Sequence, residues 1–413
     1  GDLRNYVLVT GAYWADTLVD GATRTLVLFY FDQLGYTPLQ VASLFVLYEI
    51  AGVLTNLFGG WLAARLGLKV TLFMGLAVQV TALLMLGLAP ASLLVVPYVM
   101  ASQALSGVAK DLTKMSSKSA VKLVVPENDQ SSLYRWVALL TGSKNALKGI
   151  GFFLGGLLLT LIGFQAAALA MAAFVLVALV ATSTLMHGHL GRPDSGAKFT
   201  QMFSNTRAVN VLAAARIFLF ASRDVWFVVG LPFFMYSELG WSFWQVGTLL
   251  AVWVIGYGAV QAAAPRFVRR RGAGAEREPD GRMAVWLALV LVLCPAAMAA
   301  ALGTELDPTL VIICGLIPFG TIFAINSAVH SYLILAYADE KRVAMSVGFY
   351  YMANAIGRLA GTILSGLLYQ WHGLTACLWV AAAFALAAGI LSLMLPARVT
   401  ASGTPAAPFA RAV

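Results

Sequence analysis

Charged residues are scarce in this sequence of 413 residues, since Asp, Glu, Lys and Arg make up 11% of it and hydrophobic residues make up 60%. A soluble domain carries about 25% charged residues, so this composition excludes an ordinary soluble fold. Cysteine is rare as well. The 3 Cys residues, Cys294, Cys314 and Cys377, lie in apolar segments without metal-ligand spacing, which excludes a disulfide framework and predicts no metal or other cofactor.

Long apolar segments dominate the chain instead, and each is long enough for a bilayer-spanning helix of about 20 residues. We predict helices near 6–31, 39–63, 70–89, 92–117, 131–162, 164–187, 208–236, 243–265, 283–303, 308–336, 342–370 and 374–396. The predicted fold class is therefore an all-α membrane protein.

Basic residues outside these segments occur in alternate connections only. If the amino terminus is cytoplasmic, the inner connections hold the Lys and Arg residues, and the outer turns hold acids and no basic residue. The positive-inside rule then places both termini in the cytoplasm. The net charge of +9 is thus explained by membrane orientation, and we expect a lipid bilayer and no nucleic acid as partner. The basic loop 266–282 is interpreted as a solvated loop facing lipid headgroups.

The sequence also repeats itself. Residues 34–44 (LGYTPLQVASL) reappear as 239–249 (LGWSFWQVGTL), and 151–158 reappear as 361–368, with offsets of about 205 to 210 residues. The predicted division is an amino-terminal half 1–187, a cytoplasmic linker 188–207, a carboxy-terminal half 208–396 and a cytoplasmic tail 397–413. Two parallel halves of six helices resemble the major facilitator fold, which implies 12 transmembrane helices around a central cavity.

Two short motifs agree with that resemblance in part. Residues 60–69 (GWLAARLGLK) resemble the loop motif of the superfamily, although Ala64 stands where the motif has Asp. Residues 151–156 are similar to an antiporter signature, although Phe152 replaces its Pro.

Charges inside the predicted spans are the best guide to function, because a cation in mid-bilayer costs roughly 2.5–3.5 kcal/mol on insertion scales unless it faces a cavity or a partner. The cations are Arg24, Lys110, Lys114, Lys144, Lys148, Arg216, Arg223 and Arg358. The acids are Asp16, Asp20, Glu49, Asp111 and Asp224. Cations outnumber acids, which predicts an anionic solute such as a phosphoryl-type oxyanion. The repeat further places Lys148 and Arg358 at matching positions, and Asp20 and Arg24 could pair on one helical face.

The predicted substrate-binding residues are Arg24, Lys110, Lys114, Lys144, Lys148, Arg223, Asn354 and Arg358. Some residues have a plainer interpretation. Lys110 and Lys114 could snorkel to the interface, and Arg216 could be interfacial because it is near a helix end. Lys118 and Lys122 are expected at the surface. Asn326 and His330 are considered only as neutral lining residues.

Three stretches resemble one family in particular. Residues 5–24 (NYVLVTGAYWADTLVDGATR), 110–126 (KDLTKMSSKSAVKLVVP) and 134–149 (YRWVALLTGSKNALKG) resemble the organoarsenical efflux permeases (ArsJ type). The resemblance implies a bacterial inner-membrane transporter that exports 1-arseno-3-phosphoglycerate. It also implies a functional partner, glyceraldehyde-3-phosphate dehydrogenase, which makes this compound. By this resemblance the chain is not an enzyme. It exports the arsenical by alternating access, and this export detoxifies arsenate.

The energy source is a separate expectation. Proton antiport through Asp16, Asp20, Glu49 or Asp224 is the first hypothesis, because a carboxyl that loses its cation to substrate can take a proton. Exchange against an external anion and downhill flux are the alternatives. For the substrate, the alternative is an organophosphate or organic-anion antiporter of the same superfamily. A non-transporting receptor, or a scaffold that docks the dehydrogenase through loop 266–282, is a different class.

Overall fold

The computed structural model describes residues 2–36, 40, 44–126, 129–188, 190–191, 194–203, 205–268, 270–272 and 275–396. The long helices are α1 (Asp2–Gln33), α2 (Val46–Leu66), α3 (Leu68–Leu88), α4 (Val96–Val124), α5 (Gln130–Ile162), α6 (Phe164–Leu185), α7 (Arg207–Phe227), α8 (Phe243–Val268), α9 (Gly281–Leu302), α10 (Pro308–Tyr337) and Val343–Ser392. The last helix is interrupted at Gly373, where φ is 74°, and we treat it as α11 (343–372) and α12 (374–392). The predicted tail 397–413 lies outside the described residues.

The helices confirm the predicted fold class, and each overlaps one predicted span. Eight of them, with Val343–Ser392 counted once, are long and apolar enough to cross a membrane. The long helices outside this set are α1, α4 and α7. These three helices carry most of the charged residues that were assigned to the site, including Asp20, Lys110 and Arg223.

Helix α7 ends earlier than the predicted span, which extended to residue 236. After Phe227 the chain continues as a short helix, Gly230–Phe233, and a π-helical turn, Phe234–Glu238. The hydroxyl of Ser365 accepts hydrogen bonds from the backbone N–H groups of Val229 (3.3 Å) and Gly230 (3.0 Å). This side chain satisfies donors that the interruption would otherwise leave unpaired.

Glycines with positive φ recur at the spacing of the sequence repeat. Gly35 (φ 82°) and Gly240 (φ 69°) follow the first helix of each half, and Gly163 (φ 79°) and Gly373 (φ 74°) separate the last two. A residue with a side chain rarely adopts this conformation. The same turns therefore close equivalent helices in both halves of the sequence.

Close helix contacts also depend on glycine. Lipid tails are as apolar as leucine, so helices in a bilayer associate through close packing rather than through exclusion from water. On α5, a Cβ atom added to Gly151 would lie 2.5 Å from the carbonyl oxygen of Leu18 on α1. On α11, the repeat-related Gly361 packs against α7, where an added Cβ would lie 2.9 Å from the Cβ of Asp224. The α1–α5 contact is thus repeated as α7–α11.

The short strands β1 (Arg270–Gly272) and β2 (Ala275–Arg277) form an antiparallel hairpin in which Arg270 pairs with Arg277. They lie in the basic loop 266–282, for which the sequence predicted no regular structure. These six residues are the only strand residues in the part of the chain that the structure describes.

Contacts divide the chain into two compact units. Unit 1 comprises Gly1–Pro126, Ser143–Ser204 and Glu340–Met352, and unit 2 comprises Glu127–Gly142, Asn205–Asp339 and Ala353–Val413. The units differ from the halves of the repeat because each contains a short segment from the other half. The beginning of α5 belongs to unit 2, and the beginning of α11 belongs to unit 1.

The predicted linker packs against unit 1. Its backbone accepts a hydrogen bond at Ala197 from the indole of Trp61 (3.0 Å), and Asp194 N–H donates to the Ala64 carbonyl (3.0 Å). Met202, in the 3₁₀ turn Phe199–Phe203, is fully buried. The turn covers the place where α2 meets the beginning of α11, because an added Cβ at Gly60 would lie 2.9 Å from Gly348 and 3.2 Å from Met202.

Candidate functional site

In unit 1, the Asp20 carboxylate on α1 is held by two side chains. It accepts a hydrogen bond from the Tyr48 hydroxyl (2.8 Å) and pairs with the ammonium of Lys148 on α5 (3.4 Å). The predicted pairing of Asp20 with Arg24 is wrong for this structure. Arg24 instead pairs with Glu49 on α2 (3.7 Å), and its guanidinium lies 5.1 Å from the ring centroid of Phe45. Contacts between helices therefore prevail over the local spacing of four residues.

Asp16 lies one turn before Asp20 on α1 and is 1% exposed. One of its carboxylate oxygens accepts a hydrogen bond from the Thr113 hydroxyl on α4 (2.8 Å). The other oxygen has no hydrogen-bond partner among the residues that the structure describes. A buried carboxylate that forms no ion pair in the described part of the chain needs another source of neutralisation, and a proton can supply it.

The lysines of α4 face other helices of unit 1. The Lys110 ammonium lies 4.1 Å from the ring centroid of Tyr48, the residue whose hydroxyl donates to Asp20. Lys114 forms an ion pair with Asp111 (2.7 Å) and lies 4.5 Å from the ring centroid of Tyr351. These contacts replace the snorkelling interpretation, because both cations have partners inside the protein.

The expected surface position of Lys118 is also wrong. We expected it at the surface, but it is 3% exposed, because α4 continues to Val124 and keeps that face packed. Lys122 is half-buried, and so is Lys144, which lies one turn before Lys148 on α5.

In unit 2, the Asp224 carboxylate on α7 lies between two guanidinium groups. One oxygen accepts a hydrogen bond from Nε of Arg223 (2.6 Å), and the other is 3.6 Å from Nε of Arg358 on α11. Asp224 is 1% exposed. Arg223 also contacts aromatic rings, with its guanidinium carbon 4.8 Å from the centroid of Phe220 and 5.2 Å from that of Phe323.

Arg216 was not among the predicted substrate-binding residues, and a position at the membrane interface was considered for it. The structure buries it to 2% exposure. Its Nε donates to the carboxamide oxygen of Asn354 (2.8 Å), and its guanidinium carbon lies 3.9 Å from the ring centroid of Phe220. The signal in the sequence was its spacing, because Arg216 and Arg223 are seven residues apart and share one face of a helix.

The two units contain equivalent ion pairs. In unit 1 an acid on the first helix of the half pairs with Lys148 on the fifth, and in unit 2 an acid on the first helix of its half pairs with Arg358 on the fifth. The repeat predicted that Lys148 and Arg358 occupy matching positions. Their partners, Asp20 and Asp224, are 204 residues apart in the sequence, which is close to the offset of the repeat.

The predicted charges are divided unequally between the units. Unit 1 contains Arg24, Lys110, Lys114, Lys144 and Lys148 with Asp16, Asp20, Glu49 and Asp111. Unit 2 contains Arg216, Arg223 and Arg358 with Asp224, the one predicted span acid in that unit. The excess of positive charge is therefore larger in unit 2.

A multi-pass helical chain that gathers ionisable groups on buried helix faces has the architecture of a membrane transporter. The sequence matches the Major Facilitator Superfamily over residues 9–335. The chain belongs to this superfamily. It is consequently a transporter of a small solute in a lipid bilayer, and not an enzyme.

Solved structures agree at the level of the fold. The human organic anion transporter MFSD10 (TETRAN) is similar, with a TM-score of 0.75, 15% sequence identity, and coverage of 95% of this chain and 99% of that chain. A bacterial homologue of the iron transporter ferroportin in the outward-facing state has a TM-score of 0.73, 14% identity, and coverage of 94% and 98%. The proton:xylose symporter XylE, bound to 6-bromo-6-deoxy-D-glucose, has a TM-score of 0.70, 12% identity, and coverage of 94% and 95%. No curated protein is similar enough in sequence to match the chain.

Proposed function

We propose that this transporter exports a short organic anion with two anionic ends, 1-arseno-3-phosphoglycerate, by alternating access. The observation that carries the proposal is the Asp224 carboxylate, which is placed between the Arg223 and Arg358 guanidinium groups. Arginine binds carboxylate, phosphate and arsenate oxygens by the same forked geometry. A substrate oxyanion would occupy the position that Asp224 occupies in the absence of substrate.

The equivalent pair in unit 1 supports the same scheme. Asp20 is held by Lys148 and Tyr48, so an incoming anion would replace a carboxylate there as well. Arg24, Lys110, Lys114 and Lys144 add positive charge to unit 1, and Asn354 adds a neutral amide to unit 2. Each unit thus offers an anion site that is neutralised internally when it is empty.

Export is proposed to be coupled to protons. Of the four acids predicted for coupling, Asp20, Glu49 and Asp224 form ion pairs with cations. Asp16 contacts the Thr113 hydroxyl instead, and one of its oxygens has no hydrogen-bond partner in the described part of the chain. A proton would neutralise Asp16 at no cost to an existing ion pair. Asp16 is therefore the proposed coupling residue, and the other three acids are proposed to hold cations.

The arsenical substrate further rests on the resemblance of residues 5–24, 110–126 and 134–149 to the organoarsenical efflux permeases. In that scheme glyceraldehyde-3-phosphate dehydrogenase supplies the substrate. The protein would lie in the bacterial inner membrane with both termini in the cytoplasm, as the distribution of Lys and Arg predicts.

An organophosphate or organic-anion antiporter is the second candidate. The similarity to a structure described as an organic anion transporter favours it, and the same cations would bind its substrate. Arsenate and phosphate are similar oxyanions, so the charges alone do not distinguish the two candidates.

The test is arsenic uptake into inside-out vesicles that contain the protein. The vesicles receive arsenate, glyceraldehyde 3-phosphate, the oxidised nicotinamide cofactor and the dehydrogenase, and each component is omitted in turn. We expect accumulation only when all four are present. Lys148→Gln and Arg24→Gln should abolish it, and the same substitutions at exposed positions, Lys198→Gln and Arg207→Gln, should not. Accumulation from arsenate alone, or of a plain organic phosphate but no arsenic, would reject the arsenical substrate.

A further inference from the structure

Unit 2 contains a second polar group beside the Asp224 ion pair, which we call the Arg216 cluster and define as Arg216, Asn326, His330 and Asn354. Arg216 lies on α7, Asn326 and His330 lie one turn apart on α10, and Asn354 lies on α11. Arg216 donates to Asn354 (2.8 Å) and to the backbone carbonyl of Ser327 (3.4 Å), which is adjacent to Asn326 and three residues before His330 on α10. Three helices therefore contribute to one buried polar group.

The cluster contains hydrogen-bonding atoms that nothing in the described structure satisfies. Asn326 is 0% exposed and His330 is 1% exposed. Both amide atoms of Asn326 and Nδ1 of His330 have no hydrogen-bond partner among the described residues. Native proteins rarely bury such atoms without a partner, so a bound solute is a reason for them to be there.

The cluster and the Asp224 ion pair are close together. The guanidinium carbons of Arg216 and Arg223 both lie against the ring of Phe220, at 3.9 Å and 4.8 Å from its centroid. The two carbons can be no farther apart than the sum of these distances. Along α11, Asn354 and Arg358 are four residues apart, which is about 6 Å of helix rise. The Arg216 guanidinium and the Arg223–Arg358 pair are therefore separated by no more than the length of a small molecule.

We propose that the Arg216 cluster is a second anion subsite, which binds one end of a short solute whose other anionic end lies between Arg223 and Arg358. This inference rests on the proposed function and names the residue that selects solutes with two anionic groups. The solute's second anion would replace the Asn354 oxygen at Arg216, and the Asn326 amide and the His330 imidazole would bind its remaining oxygen atoms. Because Arg216 is buried, the cluster must open before the solute reaches it.

The experiment compares two probes that differ in one anionic group. 3-Phosphoglycerate carries a phosphate and a carboxylate, and glycerol 3-phosphate carries a phosphate and a neutral hydroxyl. Binding of each to the purified full chain is measured by isothermal titration calorimetry. A hydrogen bond to a charged group contributes enough affinity for about a tenfold preference for 3-phosphoglycerate in the unmodified chain.

Variants test whether Arg216 causes the preference. Arg216→Gln should reduce it to about twofold or less and leave glycerol 3-phosphate binding nearly unchanged, because losing the charge affects the second anion only. Arg216→Lys should retain part of it, since lysine keeps the charge but lacks the fork. Asn354→Asp should abolish it by placing a carboxylate at the subsite. Arg207→Gln, an exposed position on the same helix, is the matched control, and elution as a single species confirms that each variant folds.

The inference is wrong if the unmodified chain shows no preference, or if Arg216→Gln weakens both probes equally, as a purely structural arginine would. If the proposed function is wrong instead, the experiments give a different pattern. Arsenic export would then be absent while the Arg216-dependent preference persists. Conversely, arsenic export without that preference would reject the subsite and keep the proposed function.

Discussion

Replacing Asp224 by Asn should increase the affinity for anions, although the residue lies at the centre of the proposed site. In the structure the carboxylate accepts a hydrogen bond from Arg223 at 2.6 Å and faces Arg358 at 3.6 Å. A substrate must break these interactions before it binds. Hydrogen bonds to charged groups contribute about 1.5–3 kcal/mol, and the Asn carbonyl oxygen would keep part of this. We therefore expect about a tenfold decrease in KM, which corresponds to about 1.4 kcal/mol.

The turnover number should fall, although the affinity rises. Without the carboxylate, residue 224 no longer competes with the substrate for the two guanidinium groups, so release becomes slower and kcat falls. The assay is initial uptake into inside-out vesicles over a range of substrate concentrations. Asp194→Asn, which removes an exposed carboxylate of the linker, should leave both constants unchanged. A higher KM in Asp224→Asn, similar to that of Arg223→Gln, would refute the reasoning, because it would mean that the carboxylate supports substrate binding.

Three further predictions concern coupling and stability. Asp16→Asn should leave substrate binding intact and make uptake insensitive to a pH gradient; continued acceleration by the gradient would assign coupling to another group. Gly60→Ala should lower the melting temperature and reduce transport, because the added Cβ meets backbone atoms at 2.8 and 2.9 Å, and overpacking costs about 1–3 kcal/mol. Gly247→Ala, in a helix with open space around the position, should instead be neutral or stabilising by up to about 1 kcal/mol, and equal melting temperatures for the two variants would contradict this explanation. Thr206→Ala should destabilise the start of α7 by about 0.5–2 kcal/mol, since Thr206 accepts a hydrogen bond from Val209 N–H; Thr206→Ser should restore the lost stability, and a thermal unfolding series would measure both.

The positions of the helices could be predicted from the sequence because one physical requirement determines them. A segment that crosses a bilayer must be apolar over about 20 residues, and such segments are visible directly in the sequence. The interruption after Phe227 was not predictable in this way, because its donors are satisfied by Ser365, more than a hundred residues away in the sequence.

Partners of charged residues were harder to predict. Asp20 and Arg24 are four residues apart, and the local rule pairs them. In the structure each has a partner on another helix, Lys148 and Glu49. Helix spacing indicates which residues share a face, but it does not indicate which residues of another helix lie opposite that face.

The burial of two side chains also differs from the prediction. Lys118 was expected at the surface because it lies just beyond the apolar segment 92–117, and Arg216 was given an interfacial alternative because it lies near the end of its segment. Helix α4 extends beyond its predicted segment to Val124, and Arg216 lies near the middle of α7 (Arg207–Phe227), so both side chains are buried to 2–3% exposure. By contrast, the repeat gave useful information on Lys148 and Arg358, since both pair with an acid on the first helix of their own half.

The exchange of short segments between the units has a consequence for how the chain is made. Unit 1 includes residues Glu340–Met352, so it lacks part of its packing until α11 has left the ribosome, although the rest of it ends at Ser204. Gly60 in particular cannot form its close contact with Gly348 until α11 has been synthesised. Synthesis of the amino-terminal half alone should yield a protein that is inserted but incompletely folded, and a protease would distinguish it from the full chain. The order of synthesis thus makes the first half dependent on the last quarter of the sequence.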